Sequence, residues 1–381
     1  MVIKTALFLP LLITLCNCNF AQNILKNIQY GGTLRTYRIY IPSSYDGMQA
    51  VPLVMALHGL GDNADNFQGI GLNSIADTAG FIVVYPNALP DPVLGAPGWN
   101  AGLNPLNNTD DVGFLLALID TVRSVYAIDT MRIYVCGFSL GGFMSYRLAC
   151  ARDNPFAALA SVAGSLPASA VPTCNPGRPL PVLHVHGTAD PVIPYNFGLI
   201  YGIVTNLGAD STIHFWRQNN ACEAPPIHDT LPDTHPDGYL FEKWVYGPCA
   251  DSAAVVLYKA NNMPHVWPLA QNDVHATREI WNFFRSFSRQ AFIINSSGEK
   301  NKDKEALLIY PNPAAEILFI QTSFSQGTEM AILDFTGRQV HVTPMQGTSY
   351  AFSLSALPQG VYFLRAVSGK TVMLHKIMIQ R

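Results

Sequence analysis

At 381 residues the chain exceeds one ordinary domain, and 49% hydrophobic residues is enough to bury a substantial core, which predicts two folded units. Only 13% of residues are charged and the formal net charge is −3. No basic block is present that could neutralise a phosphate backbone, which argues against nucleic acid as a partner.

Met1 to Ala21 carries Lys4, the apolar run Ala6 to Leu15 and a polar stretch ending in Phe20-Ala21. This is the pattern of a secretory signal peptide over 1–21, cleaved before Gln22. About ten apolar residues fall short of the roughly 20 that a membrane helix needs, so no stable membrane span is expected. Cys16 and Cys18 raise a lipoprotein alternative, but Leu15 and Asn17 precede them where a small residue is expected. Removing the signal leaves Cys136, Cys150, Cys174, Cys222 and Cys249 in an exported chain, where disulfides are permitted. Cys136 sits within an apolar run and reads as a small buried hydrophobe. Four cysteines remain, enough for two bridges.

Thr33 to Ile41 alternates as a strand, and Pro52 to Leu57 is a continuous apolar run ending in His58-Gly59-Leu60-Gly61. A helical stretch to about Ala79 and a strand from Ile82 to Tyr85 follow. A Gly/Pro-rich loop, 86–108, contains Trp99, and Asp110-Asp111 introduces the helical pattern Val112 to Tyr126. Those aspartates could be catalytic acids, but carboxylates at a helix start satisfy its free N–H groups and its dipole, and that reading is preferred. Ile133 to Cys136 is the next buried run, with Gly137-Phe138-Ser139-Leu140-Gly141 directly after it and a helix from there to Ala151. Further strands are expected at Ser161 to Gly164, at Pro181 to His186 and at Val255 to Tyr258, with a closing helix from Val274 to Phe287. Buried strands alternating with helices argue an α/β architecture over 22–290, a mostly parallel sheet with helices on both faces. Residues 291–305 are polar and charged, as in a linker. From Ala306 short alternating strands separated by turns predict a small all-β sandwich over 306–381.

GxSxG alone arises by chance in about one chain in eight of this length. Its position gives it weight. A strand leading into a sharp turn and a helix would put Ser139 at the tip of a strained turn, with glycines at 137 and 141 because side chains there would collide with the neighbouring strand and helix. Asp190 and His265 also fall just past the ends of predicted buried strands, and the order Ser139, Asp190, His265 is that of the α/β-hydrolase triad. A serine hydroxyl needs an imidazole to take its proton, and the imidazole needs a carboxylate to fix its tautomer and charge. The Leu60 and Leu140 amides would supply the oxyanion site. His184 and His186 read as hydrogen-bonded core residues, and His58 as a brace for its glycine loop. Trp99 and Trp267 fall in rim loops where substrate rings or sugars are met, with core packing as the alternative. No HxxE, HExxH or CxxC spacing occurs, so a metal site has little support.

HGLGDNADNF, YPN, WNAG, DDVGFL, GFSLGG, HVHGTADPVIPY and PHVWP, in that order over about 25–290, resemble the secreted poly(3-hydroxybutyrate) depolymerase and feruloyl/acetylxylan esterase family of α/β-hydrolases. The resemblance implies serine ester hydrolysis without a cofactor, with Ser139 as nucleophile, Asp190 as acid and His265 as base. One departure is Asn261-Asn262-Met263-Pro264, where relatives often carry glycines, which bears on the mobility and width of the acyl site. Of the three cysteine pairings, Cys150–Cys174 with Cys222–Cys249 is preferred, because each pair flanks a segment that begins and ends near one sheet edge in the proposed order; it also resembles pairs in the family. YPNP at 310–313, DFTGR at 334–338 and LPQGVYFLR at 357–365 resemble the type A sorting domain of type IX secretion. That resemblance implies passage through the periplasm and the type IX machinery to the exterior or the cell surface. The expected partner is an ester substrate, a polyester oligomer or an esterified polysaccharide. A serine peptidase on the same fold and a non-catalytic surface-binding protein are the rivals.

Overall fold

The structure, a computed structural model, describes residues 20–289 and 307–380, apart from short breaks at 153, 197, 201–202, 223–224, 248, 311–313, 323–328, 335–337, 345–348 and 369–370. All but the last two residues of the expected signal segment, and the expected linker, lie outside the described residues. The sorting motifs YPNP and DFTGR lie mostly outside them as well.

The strands of the first unit are β1 (Gln22–Tyr30), β2 (Thr33–Ile41), β3 (Val51–Leu57), β4 (Ile82–Pro86), β5 (Ile128–Phe138), β6 (Ala158–Val162), β7 (Val182–Gly187), β8 (Gly198–Ile200), β9 (Ile203–Asn206), β10 (Ile227–Thr230), β11 (Leu240–Tyr246) and β12 (Val255–Asn261). Ten of them form one sheet in the order β1-β2-β4-β3-β5-β6-β7-β12-β11-β10, while β8 and β9 pair separately. The pairs from β4 through β12 are parallel. Their strands are buried on both faces, which is why they read as unbroken apolar runs. Both edges are antiparallel, β1–β2–β4 on one side and β12–β11–β10 on the other, so the sheet is mixed. The edge strands β1, β10 and β11 escape the sequence reading because one of their faces meets water and carries polar residues.

Among the described residues six helices cover the sheet: α1 (Ala64–Phe67), α2 (Leu72–Ala79), α3 (Asp111–Val125), α4 (Leu140–Ala149), α5 (Ala209–Asn219) and α6 (Ala276–Phe284). Phe114 and Leu118 of α3, Phe143 of α4 and Trp216 of α5 pack with Leu53, Met55 and Val135 on one face. Phe67, Leu72, Ile280 and Trp281 pack with Val54, Ala56 and Tyr134 on the other. The aspartates at the start of α3 are structural. Asp110 caps the helix by accepting from the Gly113 amide at 2.9 Å and also accepts from the Tyr30 hydroxyl at 2.6 Å. Asp111 is buried, pairs with Arg35 at 2.7 Å and accepts from the Asn100 amide at 2.7 Å. Disulfides join Cys150 to Cys174 and Cys222 to Cys249, and Cys136 is buried and free.

The tail folds as β13 (Leu307–Tyr310), β14 (Ile317–Thr322), β15 (Glu329–Leu333), β16 (Gln339–Pro344), β17 (Ser349–Ser353), β18 (Gly360–Ser368) and β19 (Thr371–Ile379). Two antiparallel sheets, β13-β14-β17 and β16-β15-β18-β19, close over Leu318, Ile332, Phe352, Leu364 and Ile377. Described residues of the tail contact the first unit. Phe319 points out of the tail into the core of the first unit, its ring lying where a Cβ on Gly247 would come within 2.5 Å. Glu316 pairs with Lys243, and Arg285 donates to the Gln380 carbonyl at 2.8 Å. Such a contact is not visible in a linear pattern of alternation, because Leu318 and Ile320 are buried within the tail while Phe319 between them is buried against the first unit.

Candidate active site

The C-terminal ends of β5, β7 and β12 bring the sequence-derived residues to one rim. Ser139 lies between β5 and α4, as the N-cap of the helix, with φ 53° and ψ −120°, a strained conformation for a residue with a Cβ. Its amide donates to the Val162 carbonyl at 2.9 Å. The flanking glycines are required by space: a Cβ on Gly137 would lie 2.2 Å from the Gly141 carbonyl oxygen, and one on Gly141 would lie 2.1 Å from the Leu57 oxygen. The turn can form only where strand and helix backbones approach this closely.

Asp190 follows β7 and is buried. Its Oδ1 accepts from the Val192 and Ile193 amides, each at 2.8 Å, and its Oδ2 accepts from His265 Nδ1 at 2.6 Å. Burial pushes this carboxyl up, but the His265 bond and the two amides outweigh it and hold the group below the usual carboxylate range. His265 therefore donates from Nδ1 and leaves Nε2 for the cavity. Its ring packs on Phe138, with centroids 4.8 Å apart. Asn262 takes the left-handed conformation, φ 63°, which asparagine tolerates, and its amide donates to Thr188 Oγ1 at 3.0 Å. The non-glycine loop before His265 is thus tied down at Asn262.

Ser139 and His265 line one cavity of about 400 Å³ with Leu60, Leu94, Leu103, Phe138, Leu140, Val192 and Ile193. Leu140 is the first residue of α4, so its amide has no intrahelical acceptor. The His58–Gly61 loop runs alongside, where a Cβ on Gly59 would sit 3.5 Å from Ser139 Cβ. His58 braces that loop: Nδ1 donates to the Gly59 carbonyl at 2.7 Å and Nε2 accepts from the Ala88 amide at 3.1 Å. Burial keeps this imidazole neutral by lowering its pKa.

The two tryptophans take different places. Trp99 is 2% exposed; its Nε1 donates to the His58 carbonyl at 2.9 Å and its ring forms part of the cavity wall. Trp267 lies outside the cavity lining, edge-on to Phe67, with Nε1 donating to Thr277 Oγ1 at 2.9 Å. It packs, partly buried, against the core, where the chain after His265 meets α6. A residue that sequence reasoning missed is Asp91. It accepts from the Val93 and Leu94 amides at 2.9 and 3.0 Å and from Asn107 Nδ2 at 3.0 Å, and so folds the rim loop that carries Leu94 and Leu103. The only hint of it is an acidic residue amid asparagines in a Gly/Pro-rich loop. Among the described residues no group of three or more His, Cys, Asp or Glu side chains could hold a metal ion.

Residues 45–205 match a phospholipase/carboxylesterase family model. The probable feruloyl esterase C of Aspergillus niger is 34% identical over 258 residues, 66% of this chain and 83% of that protein. The chain belongs to the feruloyl esterase family of α/β-hydrolases. Feruloyl esterase B of Piromyces equi is 32% identical over 199 residues, 50% of this chain but 37% of its own length. The chain thus spans about half or less of the length of several curated relatives. An acetyl xylan esterase structure from Aspergillus awamori shares the fold, with a TM-score of 0.52 at 17% identity, covering 69% of this chain and 99% of that one. Residues 308–380 match a secretion system C-terminal sorting domain. Together with the two disulfides, this tail marks a secreted or cell-surface member of the esterase family.

Proposed function

We propose that this protein is a serine carboxylic ester hydrolase acting on feruloyl or acetyl esters of plant polysaccharide. The observation that carries the reading is the 2.6 Å bond from His265 to a buried, charged Asp190, beside a strained Ser139 in the same cavity. His265 Nε2 would take the proton of the Ser139 hydroxyl as it attacks the ester carbonyl, and Asp190 would stabilise the resulting imidazolium. The Leu60 and Leu140 amides would hold the oxyanion. His265 then protonates the leaving alcohol, and water, activated by the same imidazole, releases the acid. The apolar wall of Leu94, Leu103, Val192 and Ile193 suits an aromatic acyl group more than a hydroxybutyrate chain rich in ester oxygens. Export would run through the periplasm and the type IX machinery, which reads the tail, and the catalytic unit would be 22–290.

The test is a kinetic cycle. Ser139→Ala and His265→Ala should each reduce turnover of a p-nitrophenyl ester to below a few per cent, and the double variant should be scarcely worse than either, because triad members act as a unit. Residual activity of Ser139→Ala above that level removes the assignment. Methyl ferulate, acetylated xylan, hydroxybutyrate oligomers and a peptide amide, assayed in parallel, distinguish the substrate classes.

A further inference from the structure

A line of buried hydrogen bonds that the triad does not use runs behind the Asp190 loop. It begins on α4, the helix that Ser139 opens, and ends on the backbone next to Asp190. The Tyr146 hydroxyl lies 2.8 Å from His184 Nδ1, His184 Nε2 lies 3.1 Å from His186 Nδ1, and His186 Nε2 lies 2.8 Å from the Ile193 carbonyl. All three side chains are completely buried.

The polarity of the line is dictated from one end. A carbonyl only accepts, so His186 donates from Nε2. Burial disfavours a second proton, so His186 Nδ1 holds a lone pair and accepts from His184 Nε2. His184 Nδ1 then accepts from Tyr146. Every ring nitrogen is satisfied with both imidazoles neutral. The Ile193 residue that receives this line at its carbonyl donates from its amide to Asp190 Oδ1 at 2.8 Å, and His186 Nε2 itself stands 3.7 Å from Asp190 Oδ2. Two imidazoles on a strand face otherwise packed against Trp216 and Leu180 cost desolvation that apolar side chains of similar size would avoid. Packing alone does not account for them.

We propose that Tyr146, His184 and His186 form a positioning relay that fastens the 190–193 loop to the nucleophile-bearing helix and so holds Asp190 where it orients His265. The proposal rests on the serine-triad reading. None of the three touches the cavity, so they are positioning residues that act through Asp190.

The test is a double-mutant cycle on the full chain with a p-nitrophenyl ester, with rates normalised to folded protein by circular dichroism. His186→Phe should lower kcat by about ten- to a hundredfold, the scale on which a misplaced catalytic group loses rate, with KM changed less than about twofold. In an Asp190→Asn background the same substitution should cost less than about threefold, because the group it acts through is already lost. His186→Gln, whose amide can still donate to Ile193, should recover most of the rate. Equal losses in the two backgrounds, or a raised KM with kcat intact, would overturn the relay. An Asp190→Asn variant as fast as the native protein would instead overturn the triad. Should His186→Phe not fold, Tyr146→Phe, which removes one hydroxyl, enters the same cycle with the same two outcomes.

Discussion

Buried imidazoles should make the esterase-fold unit lose stability as the pH falls below about 6.5. His58, His184 and His186 are buried and their pKa values are lowered, by burial first in each case. They are neutral in the native state but gain protons in the unfolded chain below about pH 6.5. The folded pKa lies below the unfolded one, so their contribution is complete above about pH 6.5 and is lost as the pH falls toward the folded values. While the native rings stay neutral, each costs at most about 1.4 kcal/mol per pH unit, so three give a slope of up to about 4 kcal/mol per unit below pH 6.5. Glu279 and Asp111 work in the opposite sense, since burial raises the pKa of each and the native state gains by binding a proton there. Glu279→Gln removes the Glu279 part, and Asp111 stays paired with Arg35. Urea unfolding at pH 7.5, 6.5 and 5.5 can be followed by tryptophan fluorescence, because all five tryptophans lie before residue 290 and report the esterase unit alone. Between pH 6.5 and 5.5 the Glu279→Gln protein should lose several kcal/mol, and adding His184→Gln and His186→Gln should reduce the slope by about two thirds. Equal stability at pH 7.5 and 5.5 in the Glu279→Gln background would refute the assignment of neutral buried rings.

Gly141→Ala should abolish soluble expression or lower stability by about 3 kcal/mol or more, because the clash is with backbone, whereas Gly69→Ala, with open space around it, should melt as the native protein does. Non-reducing peptide mapping should recover Cys150–Cys174 and Cys222–Cys249, each worth about 3 to 4 kcal/mol by chain entropy, and a crosswise pair would contradict the fold. Truncation after Gln290 should leave rates on soluble esters unchanged, because the residues under Phe319 are not those lining the active-site cavity. The truncated protein should melt lower, since Val245, Val256 and Phe287 lose their cover, and should accumulate in the periplasm; loss of activity on soluble esters would count against this arrangement.

Much of the candidate site was legible locally. An unbroken apolar run followed by GxSxG specifies a buried strand, a tight turn and a helix, because each constraint acts within a few residues. The central strands and the two-layer tail follow from the same short-range alternation. Other features depend on contacts that no local pattern encodes. β1 and β11 are strands because a neighbour offers its edge, although their polar faces weaken the signal. Trp267 joins the core and Trp99 the cavity wall for reasons set by which helix and loop pack over each. The same holds for Phe319, whose alternation suits a tail core but whose ring enters the esterase unit. His184 and His186 were recognisable as core residues, yet their linkage to Tyr146 and Ile193 exists only once α4, β7 and the acid loop are stacked together. Side-chain period is written along the chain, whereas the partner that satisfies a buried polar atom is chosen by tertiary packing.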